Sequence, residues 1–196
     1  MSDAPRILAF AGSLRSGSYN RKILLVAADG ARAAGADVTR IDLGDFPLPV
    51  YDADLESAKG LPEGATRLKA LFDAADGLLL ACPEYNAGIP GTLKNVLDWV
   101  SRPAPGETPL RAFKGKVAAL CSASPGALGG SRGLMQVRLV LSGIGVLVLP
   151  GQVSLPKANE AFDDEGNVVD PGRRKALMEL GAALAHATRA FAARAS

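Results

Sequence analysis

The stretch Ile7-Leu8-Ala9-Phe10-Ala11-Gly12-Ser13-Leu14-Arg15-Ser16-Gly17-Ser18-Tyr19-Asn20 decides how the rest of the chain is read. Its first five residues are an unbroken apolar run, as in a strand covered on both faces. Gly12 and Ser13 end the run, and a short polar loop follows. From Asn20 to Ala34 the apolar residues fall at Ile23, Leu24, Ala27, Ala28 and Ala31, which is helical spacing, and Gly35 stops the pattern. Strand, tight loop and helix in that order begin a βαβ unit, and its repetition builds a parallel sheet between helices.

The same alternation continues outward. Val38 to Leu43, Leu78 to Cys82, Val117 to Cys121 and Val146 to Leu149 read as the remaining strands. Thr66 to Ala75, Pro90 to Val100, Ser131 to Ser142 and Arg173 to Arg194 read as helices, the second opening with proline near its first turn. Asp45 to Gly64 carries Pro47, Pro49 and Pro62 and reads as one long loop, a kind of segment usually kept for function. Five strands and five helices are expected in one domain spanning residues 1–196.

Bulk properties exclude several classes of function. The formal net charge is +2, and no Lys/Arg stripe offers an electrostatic footprint, so no nucleic-acid partner is expected. The longest apolar run, Leu139 to Leu149, is broken by Ser142, Gly143 and Gly145 and is too short to span a bilayer, and the start of the chain shows no secretory pattern. Two cysteines, Cys82 and Cys121, make no disulfide framework and have no metal-ligand spacing. A soluble protein of the reducing cytoplasm, without membrane contact or a metal site, is the expectation.

In an open parallel sheet, ligands sit outside the carboxyl ends of the strands, so the loops after strands one, three and four matter most. In the first, Ser13, Ser16 and Ser18 offer hydroxyls, Arg15 offers a guanidinium, and no carboxylate is present. Backbone amides at a helix start favour an anion. The Gly12-x4-Gly17 spacing is that of a P-loop, but Ser18 stands where its lysine would be, which points to a phosphate monoester rather than a triphosphate. An ordinary capping loop is the plainer reading, although it needs fewer donors than these. The second loop, Cys82-Pro83-Glu84-Tyr85-Asn86-Ala87-Gly88-Ile89-Pro90-Gly91, is a rigid path that either walls a planar heterocycle or is simply a stiffened turn. The third, Ser122-Ala123-Ser124-Pro125-Gly126-Ala127-Leu128-Gly129-Gly130-Ser131, reads by itself as a glycine-rich turn. The three loops fall at one end of one sheet, and that placement argues more strongly than any one of them.

These residues resemble the NADPH-dependent FMN reductases, a group that includes bacterial chromate, quinone and azo-dye reductases. The likeness rests on Gly12-Ser13-Leu14-Arg15-x-Gly17-Ser18-x-Asn20, on Pro83-Glu84-Tyr85-Asn86, and on Leu93-Lys94-Asn95-x-Leu97-Asp98-Trp99, with Ile41-Asp42-Leu43 and Tyr51-Asp52 in support. It runs from the first strand to about the fifth, and the last forty or so residues carry no motif. The resemblance implies a flavodoxin-like three-layer α/β sandwich with a five-stranded parallel sheet in the order 2-1-3-4-5. It implies that Ser13, Arg15, Ser18 and Asn20 hold the phosphate of FMN. Pro83, Glu84, Tyr85 and Asn86 would line the isoalloxazine, largely through backbone, and Ser122, Ser124 and Gly126 would close its pyrimidine side. It further implies an oxidoreductase that takes electrons from NADPH or NADH and passes them to a small-molecule acceptor, whether a quinone, an azo compound, a metal oxyanion such as chromate, or oxygen. Homodimers or homotetramers are implied, as is turn-by-turn use of one site by donor and acceptor. A flavodoxin-like electron carrier without turnover is the competing reading, and the near-neutral charge speaks against it because carriers dock through acidic faces.

Other features are set aside. His186, the only histidine, lies in the terminal helix with no partner constellation, and no Gly-x-Ser-x-Gly elbow occurs. No side chain is expected to be catalytic, since the flavin carries the chemistry and Glu84 reads as a structural or rim group. Cys82 and Cys121 end neighbouring strands and could form a redox pair, but inert buried thiols are the commoner arrangement. Trp99 with Leu93, Val96, Leu97 and Val100 marks an apolar helix face, assigned partly to the core and partly to a subunit interface.

Overall fold

Five parallel strands carry the molecule, and a computed structural model describes residues 4–195. The elements in chain order are β1 (Arg6–Ala11), α1 (Tyr19–Ala33), β2 (Asp37–Arg40), a 3-10 turn (Leu43–Asp45), α2 (Ala53–Lys59), α3 (Glu63–Ala74), β3 (Gly77–Ala81), α4 (Gly91–Ser101), β4 (Val117–Ala123), α5 (Ser131–Gly143), β5 (Leu147–Leu155) and α6 (Pro171–Ala195). The sheet order is β2-β1-β3-β4-β5 and all four pairings are parallel, which is the flavodoxin-like order and a three-layer α/β arrangement. The register sets Ala11 beside Ala81 and Ala81 beside Cys121, so the central strands reach their carboxyl ends together.

Alternation along the strands divides the core into two unlike halves. Ile7, Ala9 and Ala11 face one way with Ala81, Ala119 and Cys121, and there they meet α1 and α6. Leu8 and Phe10 face the other way with Leu78, Leu80 and Leu120, and there they meet α3, α4 and α5. The second face is filled by bulk. Phe72 stands between Phe10 and Phe113, with ring centroids 5.5 and 5.3 Å away, and burying one such ring contributes about 1.5–3 kcal/mol. The first face uses small residues, which bring the helices close. A Cβ on Gly30 of α1 would lie 2.0 Å from the Met178 carbonyl oxygen of α6, and one on Gly181 would lie 1.8 Å from that of Ala27. Only glycine fits such a crossing.

Several boundaries differ from the sequence expectation. The long loop 45–64 contains a helix, α2, capped by Asp52, whose carboxylate accepts from the Asp54 and Leu55 amides. Among the described residues there are thus six α-helices where five were expected. Strand β2 ends at Arg40, while β5 runs through Pro150 and Gly151 to Leu155, with a register shift opposite Ala118 to Leu120 that absorbs them. Helix α6 begins at Pro171, and Asp170 caps it by accepting the Arg173 amide at 2.7 Å. The apolar face of α4 is spent within the chain, because Leu93, Val96, Leu97, Trp99 and Val100 are all buried. None of these five is left for a subunit interface, which corrects that half of the expectation.

Candidate functional site

The first loop leaves its donors unspent. Ser18 occupies the N-cap of α1, the position where a serine normally accepts from the helix's own amides, yet its side chain makes no capping bond, and the first turn holds no acidic residue. The amides of Ser16, Gly17 and Tyr19 have no acceptor within the chain among the described residues. Ser13 is buried and its Oγ accepts only the Arg15 amide, at 3.3 Å, so the hydroxyl proton is free to be donated. Arg15 folds back over its own loop, one nitrogen on the Gly17 carbonyl at 3.1 Å and the guanidinium 5.3 Å from the Tyr19 ring centroid. Tyr19 in turn stacks on Phe162, with centroids 5.7 Å apart and planes 5° off parallel. A helix start with amides unpaired within the chain, two buried hydroxyls and an arginine is an arrangement suited to an anion.

Asn20 ties this loop to the fourth strand. Its Nδ2 donates to the Ala123 carbonyl at 2.9 Å and its Oδ1 accepts the Ala123 amide at 3.0 Å, a buried two-way bond across 103 residues. The side chain therefore works first as a clasp, with one amide hydrogen left for a ligand.

The second loop turns back on itself. Tyr85 and Gly88 exchange backbone bonds at 3.1 and 2.9 Å, and the two residues between them, Asn86 and Ala87, have φ of 50° and 63°. Two successive left-handed residues make the tight turn of a hairpin, a conformation asparagine tolerates and alanine adopts at some cost. Gln136 braces it by donating to the Ala87 carbonyl at 2.7 Å. The turn carries Asn86 to an exposed tip, away from the cleft, so its side chain does not join the other expected residues.

Glu84 faces α5. Arg132 Nε donates to Oε1 at 2.8 Å, a second Arg132 nitrogen reaches the same oxygen, and the Gly133 amide donates to Oε2 at 3.0 Å. Burial by itself would raise this carboxyl, but the Arg132 and Gly133 bonds outweigh it and hold the group below its ordinary range. The only carboxylate of the three loops is thereby neutralised and its charge kept off the ligand.

In the third loop, Ser124 Oγ accepts the Gly126 amide at 3.2 Å and closes a small turn at the edge of the cleft. Ser122 is placed elsewhere. Its neighbours Cys121 and Ala123 face α1 and α6, so Ser122 faces α5, fully buried. Its Oγ has no hydrogen-bond partner among the described residues and lies 1.9 Å from where a Cβ on Gly130 would stand. Gly126 likewise does not line the cleft. Of the eleven residues expected at the site, the structure gathers Ser13, Arg15, Ser18, Asn20, Pro83, Glu84, Tyr85 and Ser124 around one cavity of about 130 Å³, and it leaves out Asn86, Ser122 and Gly126. Tyr19, Ala123 and Pro125 complete the lining, a part the sequence reading missed. Tyr19 was legible as the residue next to the N-cap.

The other reactive groups lie apart. Cys82 and Cys121 are joined by a backbone bond of 2.9 Å, yet their side chains belong to opposite faces of the sheet, so they form no redox pair. Burial, with some help from the Glu84 charge, pushes the Cys82 thiol up to about 12, and burial raises Cys121 as well. His186 is exposed on α6. Among the described residues no group of three or more His, Cys, Asp or Glu could hold a metal ion, and no helix is long and apolar enough to cross a membrane.

The donor set fits a flavin mononucleotide. A phosphate monoester matches the uncapped helix start and the Ser13, Arg15 and Ser18 donors, and a heterocycle matches the backbone wall from Pro83 to Tyr85. Residues 5–160 match the family model described as NADPH-dependent FMN reductase. An NAD(P)H-dependent FMN reductase of Pseudomonas aeruginosa is 38% identical over 180 residues, covering 91% of this chain and 92% of that protein. A quinone reductase of Escherichia coli is 31% identical over 174 residues, covering 88% and 89%. Among solved structures, the flavoenzyme NAD(P)H:(acceptor) oxidoreductase FerB of Paracoccus denitrificans superposes with a TM-score of 0.80 at 28% identity, over 95% of this chain and 98% of that one.

Proposed function

The chain belongs to the NADPH-dependent FMN reductase family, and from that premise we propose that it binds FMN in the cleft between the loops after β1, β3 and β4 and works as an NAD(P)H-dependent quinone reductase. As in its family, it is a flavin-dependent oxidoreductase whose electron donor is NADPH or NADH. The observation that carries the site assignment is the start of α1, where Ser18 stands at the cap without capping and the adjacent amides have no acceptor.

Bound FMN supplies the two-electron redox chemistry, and the protein supplies position and electrostatics. Ser13, Ser18 and the amides of Ser16, Gly17 and Tyr19 hold the phosphate, and Arg15 neutralises it from the rim. Asn20 keeps the first loop against Ala123, so the phosphate seat and the third loop move as one. Pro83, Glu84 and Tyr85 present backbone to the ring, because the Glu84 carboxylate is drawn off to Arg132. Ser124 sets the pyrimidine edge with the help of the turn that includes Gly126. Asn86 and Ser122 support the site from outside it: one shapes the turn, and the other packs under the start of α5. No histidine and no ionisable thiol lines the cleft, so acceptors that take up their protons from water suit it best. Quinones are the leading class, with azo compounds, metal oxyanions such as chromate, and oxygen as slower acceptors.

Three further features belong to this reading. The whole chain, residues 1–196, acts as one FMN-binding domain. It works as a homodimer or homotetramer, which exposed apolar side chains such as Met135 and Leu139 on α5 support. Two free buried thiols fit a cytoplasmic location.

The test is an anaerobic visible spectrum of the FMN-reconstituted protein. Bleaching by NADPH and return of colour on adding a quinone supports the reductase. A bound flavin that NADPH leaves coloured points instead to a carrier, and a protein that binds no flavin removes the site assignment. Donor and acceptor share one opening, so double-reciprocal plots are expected to be parallel.

A further inference from the structure

At the β2 edge of the sheet, behind the Ser13–Leu14 backbone, lies a second cavity of about 670 Å³. Three guanidiniums line it, those of Arg21, Arg40 and Arg67, against the carboxylates of Asp42 and Asp45. Their commitments differ. Arg21 grips Asp42 with two nitrogens, each at 2.7 Å, and reaches the Ser13 and Leu14 carbonyls at 3.3 Å. Asp42 also accepts the Gly44 amide at 3.0 Å, so both its oxygens are engaged. Arg67 lies over the Phe46 ring, 4.8 Å from its centroid, and donates once, to the Asp45 carbonyl at 3.4 Å, which leaves most of its five donors unused. Arg40, the last residue of β2, pairs through its backbone with Ala9, but its guanidinium makes no hydrogen bond or ion pair among the described residues.

This distribution selects a ligand. In Rossmann-type dinucleotide sites a carboxylate in this region reads a ribose hydroxyl and an arginine accommodates a 2′-phosphate; the first loop is committed to the flavin phosphate here, so what carries over is the chemistry alone, an unpaired arginine beside a carboxylate already engaged. Here Asp42, just beyond the strand end, is locked and Arg40 is free. The cavity is also connected to the flavin loops. Phe46 borders it and also borders a neighbouring groove that passes Leu14 and Leu48 to Gly91 and Thr92, where α4 leaves the Pro83–Pro90 loop. Strands β2 and β3 are two neighbours apart, roughly 10 Å, a lateral distance that an extended dinucleotide spans.

We propose that this cavity seats the 2′-phosphate of NADPH, with Arg40 and Arg67 as its donors, and that it sets the preference for NADPH over NADH. This rests on the reading of the chain as an NAD(P)H-dependent reductase. The path along the groove leaves the nicotinamide end at the Pro83–Pro90 loop. Asp45, whose carboxylate makes no side-chain bond among the described residues, faces the ribose hydroxyl beside the phosphate.

The test uses calorimetric titration of the FMN-loaded protein with 2′,5′-ADP and with 5′-ADP, together with steady-state kinetics on NADPH and NADH, for the wild type, Arg40→Ala and Arg67→Ala. The wild type is expected to bind 2′,5′-ADP more tightly than 5′-ADP. Each substitution should weaken 2′,5′-ADP about tenfold, as for one charge-assisted contact, and lower the NADPH-to-NADH ratio of kcat/KM by a similar factor, with Arg40→Lys restoring part of it. Equal binding of the two nucleotides assigns the cavity to a pyrophosphate and overturns the proposal. So does 2′,5′-ADP binding that both substitutions leave intact. Arg40-dependent binding of 2′,5′-ADP by a protein that oxidises neither NADPH nor NADH supports the phosphate seat and overturns the reductase reading instead.

Discussion

Arg132 and Glu84 grip each other between the loops after the third and fourth strands, Arg132 Nε donating to Glu84 Oε1 at 2.8 Å, while the neighbouring Gly133 amide takes Oε2 at 3.0 Å. The carboxylate thereby serves the amino end of α5 as an external cap, and its charge is met by Arg132.

Glu84→Gln is expected to lower stability at neutral pH by about 1–2 kcal/mol, roughly 2–4 °C of Tm per kcal/mol for a chain of this size. The folded-state pKa of Glu84 is depressed. Its stabilising contribution is therefore complete above the unfolded carboxyl value of about 4.3 and disappears as pH falls through the lower folded value. Melting curves from pH 6 down to pH 3 should converge for wild type and variant at the acid end. Curves that stay equally far apart throughout would show that the ionised carboxylate does not matter.

Arg15→Ala should weaken FMN retention about tenfold, the low end for a hydrogen bond to a charged group because this arginine is exposed. Quenching of flavin fluorescence on titration measures it directly. An unchanged Kd would move the phosphate away from the first loop.

Gly181→Ala places a methyl group 1.8 Å from the Ala27 carbonyl and must part α1 from α6, at a cost of about 1–3 kcal/mol. Gly143→Ala at the end of α5 meets nothing within 4 Å and should be neutral or slightly stabilising. Urea midpoints of the two variants are expected on opposite sides of the wild type or, at least, well separated.

Neither cysteine should react with a thiol-specific disulfide reagent in the native protein at pH 8, and both should react in urea. Burial pushes the Cys82 thiol up to about 12, and Cys121 is raised too, so little thiolate exists to attack. A Cys82→Ala variant that loses turnover while keeping its flavin would contradict the inert reading.

The sheet was legible because a strand covered on both faces shows as an unbroken apolar run, as Ile7 to Ala11 and Leu78 to Cys82 do. Helix α2 was hidden because it buries none of its residues and so has no apolar period. Its Asp52 cap and Gly60 stop were readable all the same. The true length of β5 was masked by Pro150 and Gly151, which an edge strand tolerates. At the candidate site, composition singled out three loops that border one cavity but not which side chains turn inward. The strand period alone places Ser122 opposite Cys121 and Ala123, a signal present in the sequence and overlooked. Asn86 was different: its outward position follows from two left-handed backbone angles, which no pattern of residue types specifies. The Arg40 cavity gathers residues from β2, α1, α3 and the 3-10 turn, so only the fold brings them together.

The idle hydroxyl of Ser18 also bears on the stability of the protein. A helix that begins without its own cap borrows one from whatever anion arrives, and a ligand present at a hundred times its Kd adds about 2.7 kcal/mol to the folded state. On the proposed reading that this anion is the FMN phosphate, the FMN-loaded protein is expected to melt at a higher temperature than the flavin-free one, and equal melting temperatures would place the phosphate elsewhere.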